Sequence, residues 1–464
     1  MHRTAADEAT RGSAVKLFAD TAGRVLGFVT GLLVARGLGP ERFDDFAVLF
    51  GIAVLAAEAS DFGLQGTASR ALVAGTLDLR DVLGAKLRLT TGLLLALALT
   101  VPFAGGRLAP AFGGLVVYFV LTSWSEMLGV ALRARGRPLR EAAVIVTFRS
   151  CALALVVAAW LRGADLLGYV AALAGSPLAA IALAAAFLRA GRSAARSAPP
   201  PRRELRDVLR ESLPLGVNGA LSLLAQRVEL FLIWGAGNFG AVGPGAAGLY
   251  AGALRFVEGV IQVPAAISQG ALPALTREAG SGGRAVRERT VASLALLAVP
   301  AAIGLAQLAP GVLLLLLGEP FVGAAPALRV LALAVVPVFL NVGVSHALLA
   351  AGRTRLLPRL TALRLLAGLL AATALVPPLG PLGAALAFLA GESAQLLAGL
   401  LAAARAGVEL SLPRPVGRAA LASLPMAAAV ALAPLGTAGR ILIGAFVYAL
   451  TVAVIGPGWR TGPR

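Results

Sequence analysis

The chain has 464 residues, a mean hydropathy of +0.85, 58% hydrophobic and 14% charged residues, and a net charge of +18. Soluble domains carry about 25% charged residues, so this composition describes a polytopic membrane protein and excludes a soluble enzyme. A single cysteine, Cys151, excludes an intrachain disulfide framework and a cysteine-rich metal centre.

No run alternates with period two, so a β-barrel is not expected. Fourteen apolar runs are long enough to cross a ~30 Å hydrocarbon core as helices. They lie at roughly 14–37, 44–65, 84–104, 110–132, 142–161, 166–188, 212–236, 246–272, 290–317, 326–350, 358–377, 381–403, 416–435 and 439–457. The cations are 39 arginines and two lysines. With the N-terminus in the cytoplasm, 31 of the 41, Lys86 and Arg364 among them, fall in inside loops and tails, six outside and four within spans. That asymmetry predicts both termini in the cytoplasm. It also explains the basic charge without nucleic acid, since no basic helix or aromatic-interleaved patch occurs.

In the first span, Gly23, Gly27 and Gly31 form a stripe that predicts close approach of another helix. Arg24 sits mid-span with Asp20 one turn earlier, either as a local pair or as a cation facing a cavity. A turn at Leu38–Phe43 leads to the second span, whose Glu58 and Asp61 are expected near the periplasmic interface. Glu126, in the fourth span, has no cation nearby in sequence; it is a candidate coupling carboxylate or a partner of Arg149 or Arg24. Arg149 is close enough to the cytoplasmic end of the fifth span to snorkel.

Arg227 and Glu229 lie mid-span in the seventh helix; two residues apart, they need partners on other helices. Arg255 and Glu258, at i and i+3 in the eighth, can pair with each other. Glu392 is isolated near the middle of the twelfth, and Asn341 and His346 are expected to serve interhelical hydrogen bonds. Gly235, Gly237 and Gly240 fit G-x-G-x-x-G, but they follow a membrane helix and read as a periplasmic turn. No Walker A, G-x-S-x-G or HExxH motif occurs, so no enzymatic activity, cofactor or metal is expected.

An internal repeat is visible. The segment ALRARGRPLREAAVIVTFR at 131–149 returns as ALLAAGRTRLLPRLTALR at 347–364, and LGYVAALAG at 167–175 returns as LGAALAFLA at 382–390. The offset near 216 residues spans six helices, an even number, which predicts two parallel halves. The expected organisation is a six-helix half at 1–188, a basic proline-rich cytoplasmic linker at 189–211, a second half at 212–404, and two further helices at 405–464.

The segment LLVARGLGPERFDDFAVL…SDFGLQGTASRAL resembles the opening of Wzx-type polysaccharide flippases, relatives of the MATE drug exporters and lipid II flippases. Asp44 replaces the glycine usual in that turn. VGPGAAGLYAGALRFVEGVIQVPAAISQGALPALTR at 242–277, and VPPLGPLGAALAFLAGESAQLL further on, are similar to the same family. The resemblance covers about residues 14–404 and implies an all-α, MATE-like fold.

It further implies a bacterial inner-membrane flippase moving a polyprenyl-diphosphate-linked oligosaccharide to the periplasmic leaflet by alternating access. Arg24, Arg255 and Arg227 would bind the diphosphate in a cationic cavity. Glu126, Glu229, Glu258 and Glu392 would serve as charge partners or couple transport to H+ or Na+. A polysaccharide polymerase and a chain-length regulator are candidate partners. The alternatives are a lipid II flippase, a cation-coupled multidrug exporter that relies on the carboxylates, and a non-transporting scaffold.

Overall fold

The computed structural model describes residues 2–61, 63–73, 77–100, 106–190, 205–277, 281–408, 410 and 412–455. Among them the secondary structure is helical, without strands. The α-helices are α1 (His2–Asp61), α2 (Leu64–Val73), α3 (Leu79–Thr100), α4 (Ala109–Ala134), α5 (Pro138–Leu161), α6 (Leu166–Arg189), α7 (Leu205–Asn238), α8 (Ala246–Arg277), α9 (Ser281–Leu316), α10 (Ala325–Ala350), α11 (Leu357–Leu379), α12 (Pro381–Arg405), α13 (Pro413–Leu432) and α14 (Thr437–Ile455). By length and composition, eleven helical stretches of the described residues can cross a membrane.

The two runs expected as separate spans at 14–37 and 44–65 join as α1, with one break. Gly39, at φ 70° and ψ 168°, is its only non-helical residue. That conformation suits a residue without Cβ, and Pro40 restarts the helix where a missing N–H costs least. The extra short helix α2 was not legible as an apolar run. The last residues of the expected linker are also helical, since α7 begins at Leu205. Gly235 and Gly237 lie in the last turns of α7, and only Gly240, at φ 73°, is in the turn itself.

The chain forms two compact units. Unit 1 comprises 1–38 and 45–224, and unit 2 comprises 39–44 and 225–464. In unit 1, α6 packs against both α4 and α5. The glycine stripe of α1 meets α5: a Cβ on Gly23 would lie 3.1 Å from Ile145, and one on Gly27 would lie 3.4 Å from the Arg149 guanidinium. Aromatic contacts tie α1, α4 and α5 together. Phe50 meets Phe119 at 4.7 Å between ring centroids, and Tyr118 meets Phe148 at 6.3 Å. The Ser212 hydroxyl at the start of α7 donates to Thr67 of α2 at 2.9 Å, in a buried position.

In unit 2, α10 is the central helix, packed on α8, α9 and α12, while α11 lies along α12. α13 packs on α9, and α14 on α13. The hexapeptide 39–44 is part of this unit. Phe43 is fully buried edge-on to Phe321, 6.2 Å between centroids, and Gly248 makes room for the Pro40 carbonyl. The repeat offset reappears in the helices: α4 runs 109–134 and α10 runs 325–350, both ends displaced by 216. Their packing recurs as well, α4 and α5 on α6 answering α10 and α11 on α12.

Candidate functional site

The polar side chains inside unit 2 converge from five helices. Residues two apart on a helix point about 200° apart, which sends Arg227 and Glu229 of α7 to different neighbours. Arg227 Nη1 lies 2.8 Å from Glu258 Oε1 on α8. The other Glu258 oxygen lies 3.2 Å from Arg255 Nη1, the local i,i+3 pair expected from spacing. Two guanidiniums therefore share one carboxylate, and this trio carries one net positive charge. Its side chains are 15%, 18% and 27% exposed, so the group is reachable rather than sealed. Arg255 is the tenth residue of α8 and Arg227 is eleven residues from the end of α7. At 1.5 Å per residue both sit roughly 14–17 Å from the turn joining the two helices, about half a hydrocarbon core.

Glu229 turns the other way and is only 2% exposed. Its carboxylate fits against Gly368 of α11, where a Cβ would lie 2.8 Å from Oε1. Beside it, Arg364 Nε meets Glu392 Oε1 at 2.5 Å, and Asn341 Nδ2 donates to Glu392 Oε2 at 2.8 Å and to the Glu392 carbonyl at 3.0 Å. The Arg364 guanidinium also lies over Phe388, 5.2 Å from the ring centroid. Glu229 feels the charges of Arg364, Glu392 and Arg227, and the Tyr250 hydroxyl feels those of Glu229, Arg364, Arg227 and Glu258, so the groups form one network. Four buried atoms in it have no hydrogen-bond partner among the described residues: Arg227 Nε, Glu229 Oε2, Tyr250 OH and Arg364 Nη2. Leaving such groups unpaired costs about 1–3 kcal/mol each.

Two expectations are corrected here. Glu392 is not isolated, because Arg364 and Asn341 both engage it. Arg364, expected among the cytoplasmic loop cations, is instead a 6% exposed residue of α11. Arg364 is therefore the functional candidate that sequence reasoning missed; the i,i+4 step from Leu360, a buried position, placed it on the inner face of α11. Among the described residues His346 bonds within its own helix, Nδ1 to the Val342 carbonyl at 2.8 Å.

Unit 1 has a second cluster. Lys86 of α3 is fully buried; its Nζ lies 2.8 Å from Asp61 Oδ1 and 2.6 Å from Ser123 Oγ. The Gln65 backbone N–H donates to Asp61 Oδ2 at 3.3 Å, and the Gln65 amide donates to Glu126 Oε2 at 2.9 Å. Glu58 lies in the field of Asp61, Lys86 and Glu126. Asp61 is therefore a buried ion-pair partner rather than an interfacial carboxylate, and Lys86 is a buried helix residue rather than a loop cation. The two are direct partners at one end of the bundle, joined by the short connection between α1 and α3. Arg24 lies on α1, in unit 1, with its side chain exposed. Among the described residues no group of three His, Cys, Asp or Glu can hold a metal ion.

Residues 9–277, more than half of the chain, match the family described as polysaccharide biosynthesis protein. No curated protein matches. In three dimensions the chain is similar to lipid II flippase MurJ in its inward closed conformation, with a TM-score of 0.74 and 14% identity over 95% of this chain and 98% of that one. It is also similar to a multidrug resistance MATE family transporter of the MOP superfamily in its inward-facing conformation, with a TM-score of 0.64 and 17% identity over 83% and 94%. A MOP superfamily transporter from Pyrococcus furiosus, described by the reverse polarity of its binding pocket, gives a TM-score of 0.55 and 17% identity over 85% and 93%. At these identities the likeness establishes the fold.

Proposed function

The chain belongs to the polysaccharide biosynthesis protein family, and on that premise we propose that it is a flippase for a polyprenyl-diphosphate-linked oligosaccharide. It carries the headgroup from the cytoplasmic to the periplasmic leaflet of the bacterial inner membrane by alternating access, with both termini cytoplasmic. The observation that carries this reading is the Arg227–Glu258–Arg255 trio. A cation deep in an apolar helix is expensive and needs a reason. Here one carboxylate orients two guanidiniums deep in the helices. Planar guanidiniums with N–H groups to spare suit the oxygens of a diphosphate. Arg24 is a further candidate contact in unit 1. A polymerase and a chain-length regulator would receive the product.

The second cluster has the opposite balance. Glu229 and Glu392 against Arg364 leave one negative charge when both carboxylates are ionised, and Glu229 keeps an unbonded oxygen. That polarity supports H+ or Na+ coupling at Glu229. Glu126 is the corresponding candidate in unit 1, where Gln65 holds it.

The test is a deletion strain supplied with wild type, Arg227→Gln/Arg255→Gln or Arg24→Ala at matched abundance. The readout is the leaflet in which lipid-linked oligosaccharide collects. Relief of cytoplasmic-leaflet accumulation by wild type, and not by the arginine variants, is the expected result. No accumulation in the deletion strain, together with greater sensitivity to cationic drugs, would replace this reading with the multidrug exporter.

A further inference from the structure

Among the described residues, the hairpin joining α4 to α5 holds more guanidinium charge than its surroundings neutralise. Arg133, Arg135, Arg137 and Arg140 fall within eight residues. Arg133 is answered: it forms a bidentate pair with buried Glu141, and it feels Asp20. The other three reach across to the end of α6. Arg135 Nη1 donates to the Leu188 carbonyl at 3.1 Å, while Arg137 Nη1 and Arg140 Nη1 both donate to the Phe187 carbonyl at 3.3 Å. Arg140 also stacks over the Phe187 ring, 5.2 Å from its centroid. Two nitrogens on one oxygen can be no more than about 6.6 Å apart, twice the 3.3 Å bond.

Opposing them is the carbonyl end of one helix, worth about half a negative charge. Arg189, in the last turn of α6, adds a further cation. Each of the three converging guanidiniums gives one N–H to the helix end out of five available. The preference for cations on one membrane face explains the sign of this charge; it does not explain convergence. Arg353, Arg355 and Arg359, three arginines at the corresponding α10–α11 connection, make no side-chain bond to a helix end among the described residues.

The position identifies the ligand. The cluster sits where three candidate spans end, at Ala134, Pro138 and Arg189, so it lies at the boundary between hydrocarbon and headgroups. Leu139, 57% exposed, sits among the arginines and offers an apolar surface to an acyl chain. We propose that Arg135, Arg137 and Arg140 form a binding site for the phosphate of an anionic phospholipid. The phosphodiester oxygens accept charge-assisted bonds from the guanidiniums, and the neutralised cluster then locks the α4–α5 hairpin onto α6. This site is separate from the trio of unit 2 and does not depend on the transported substrate.

The experiment uses the full-length protein in phosphatidylcholine nanodiscs doped with spin-labelled phosphatidylglycerol or spin-labelled phosphatidylcholine. The motionally restricted fraction of each label is compared. Wild type is expected to prefer phosphatidylglycerol. R135Q/R137Q/R140Q is expected to lower that preference by on the order of a hundredfold, from the contribution of three basic residues near an anionic surface. R353Q/R355Q/R359Q removes the same charge elsewhere and is expected to lower the preference much less, because it leaves the converging cluster intact. Equal loss in the two triple variants would reduce the effect to diffuse surface charge and overturn the proposal. Displacement of the labelled lipid by inorganic phosphate at constant ionic strength would mark a free-anion site and overturn the lipid assignment. Lipid selectivity of the wild type decides the matter even where a variant fails to fold: without a preference for phosphatidylglycerol there is no such site.

Discussion

Replacing Arg364 by methionine should destabilise the protein far more than replacing Arg364 and Glu392 together. Arg364 and Glu392 are buried side chains, 6% and 9% exposed, joined at 2.5 Å. Removing the guanidinium leaves Glu392 with Asn341 as its remaining side-chain donor. It also strips Glu229 of the positive charge that acts on it most strongly. Two carboxylates then share a water-poor space. Breaking a buried pair by deleting one partner costs about 3–5 kcal/mol, whereas replacing both by apolar groups of similar volume is often near neutral. The expected ranking of apparent melting temperature in detergent is therefore wild type close to Arg364→Met/Glu392→Met, with Arg364→Met well below both. A thiol-reactive or tryptophan-fluorescence melt at fixed detergent and protein concentration reports that ranking. If Arg364→Met melts with wild type, or if the double variant melts lower than the single, the pair is not the structural unit described. Glu229 would then have to be balanced in some other way.

Glu258→Gln removes the carboxylate that separates Arg227 from Arg255; with side chains 15–27% exposed, the stability loss should be about 1–2 kcal/mol. The same variant should bind inorganic pyrophosphate more tightly than wild type by titration calorimetry, and weaker binding would count against the anion site. Lys86→Met leaves Asp61 buried without its cation and should cost about 3 kcal/mol, with Lys86→Met/Asp61→Leu recovering most of it in the same thermal assay. Gly248→Ala drives a Cβ into the Pro40 carbonyl, so a loss of about 1–3 kcal/mol is expected. A normal melting temperature for Gly248→Ala would mean that the turn at 39–44 does not seat on α8 as described.

Membrane class, helical content and most helix positions follow from the sequence, because hydropathy over twenty residues is a local property. The 216-residue repeat and the α1 turn are local in the same sense: the motif around Gly39 can be read wherever that glycine ends up. The Arg255–Glu258 pair was legible for the same reason, since i and i+3 share a helix face under any packing.

Pairs between helices were not legible. Lys86 lies 25 residues beyond Asp61, and Glu392 lies 28 beyond Arg364. Whether such residues meet depends on helix rotation and depth, and one residue of error turns a side chain by about 100°. Counting charges by loop assigned Lys86 and Arg364 to water, because each stands near the end of an apolar run. Tertiary packing buried them, for a physical reason that hydropathy omits: Asp61 and Glu392 wait on neighbouring helices, and a charge goes inside when an opposite one is already there. The sequence by itself thus decided where most of the helices run and where the cations are plentiful. Only the folded arrangement decided which cations meet carboxylates, as Arg227 and Arg255 meet Glu258 and Lys86 meets Asp61.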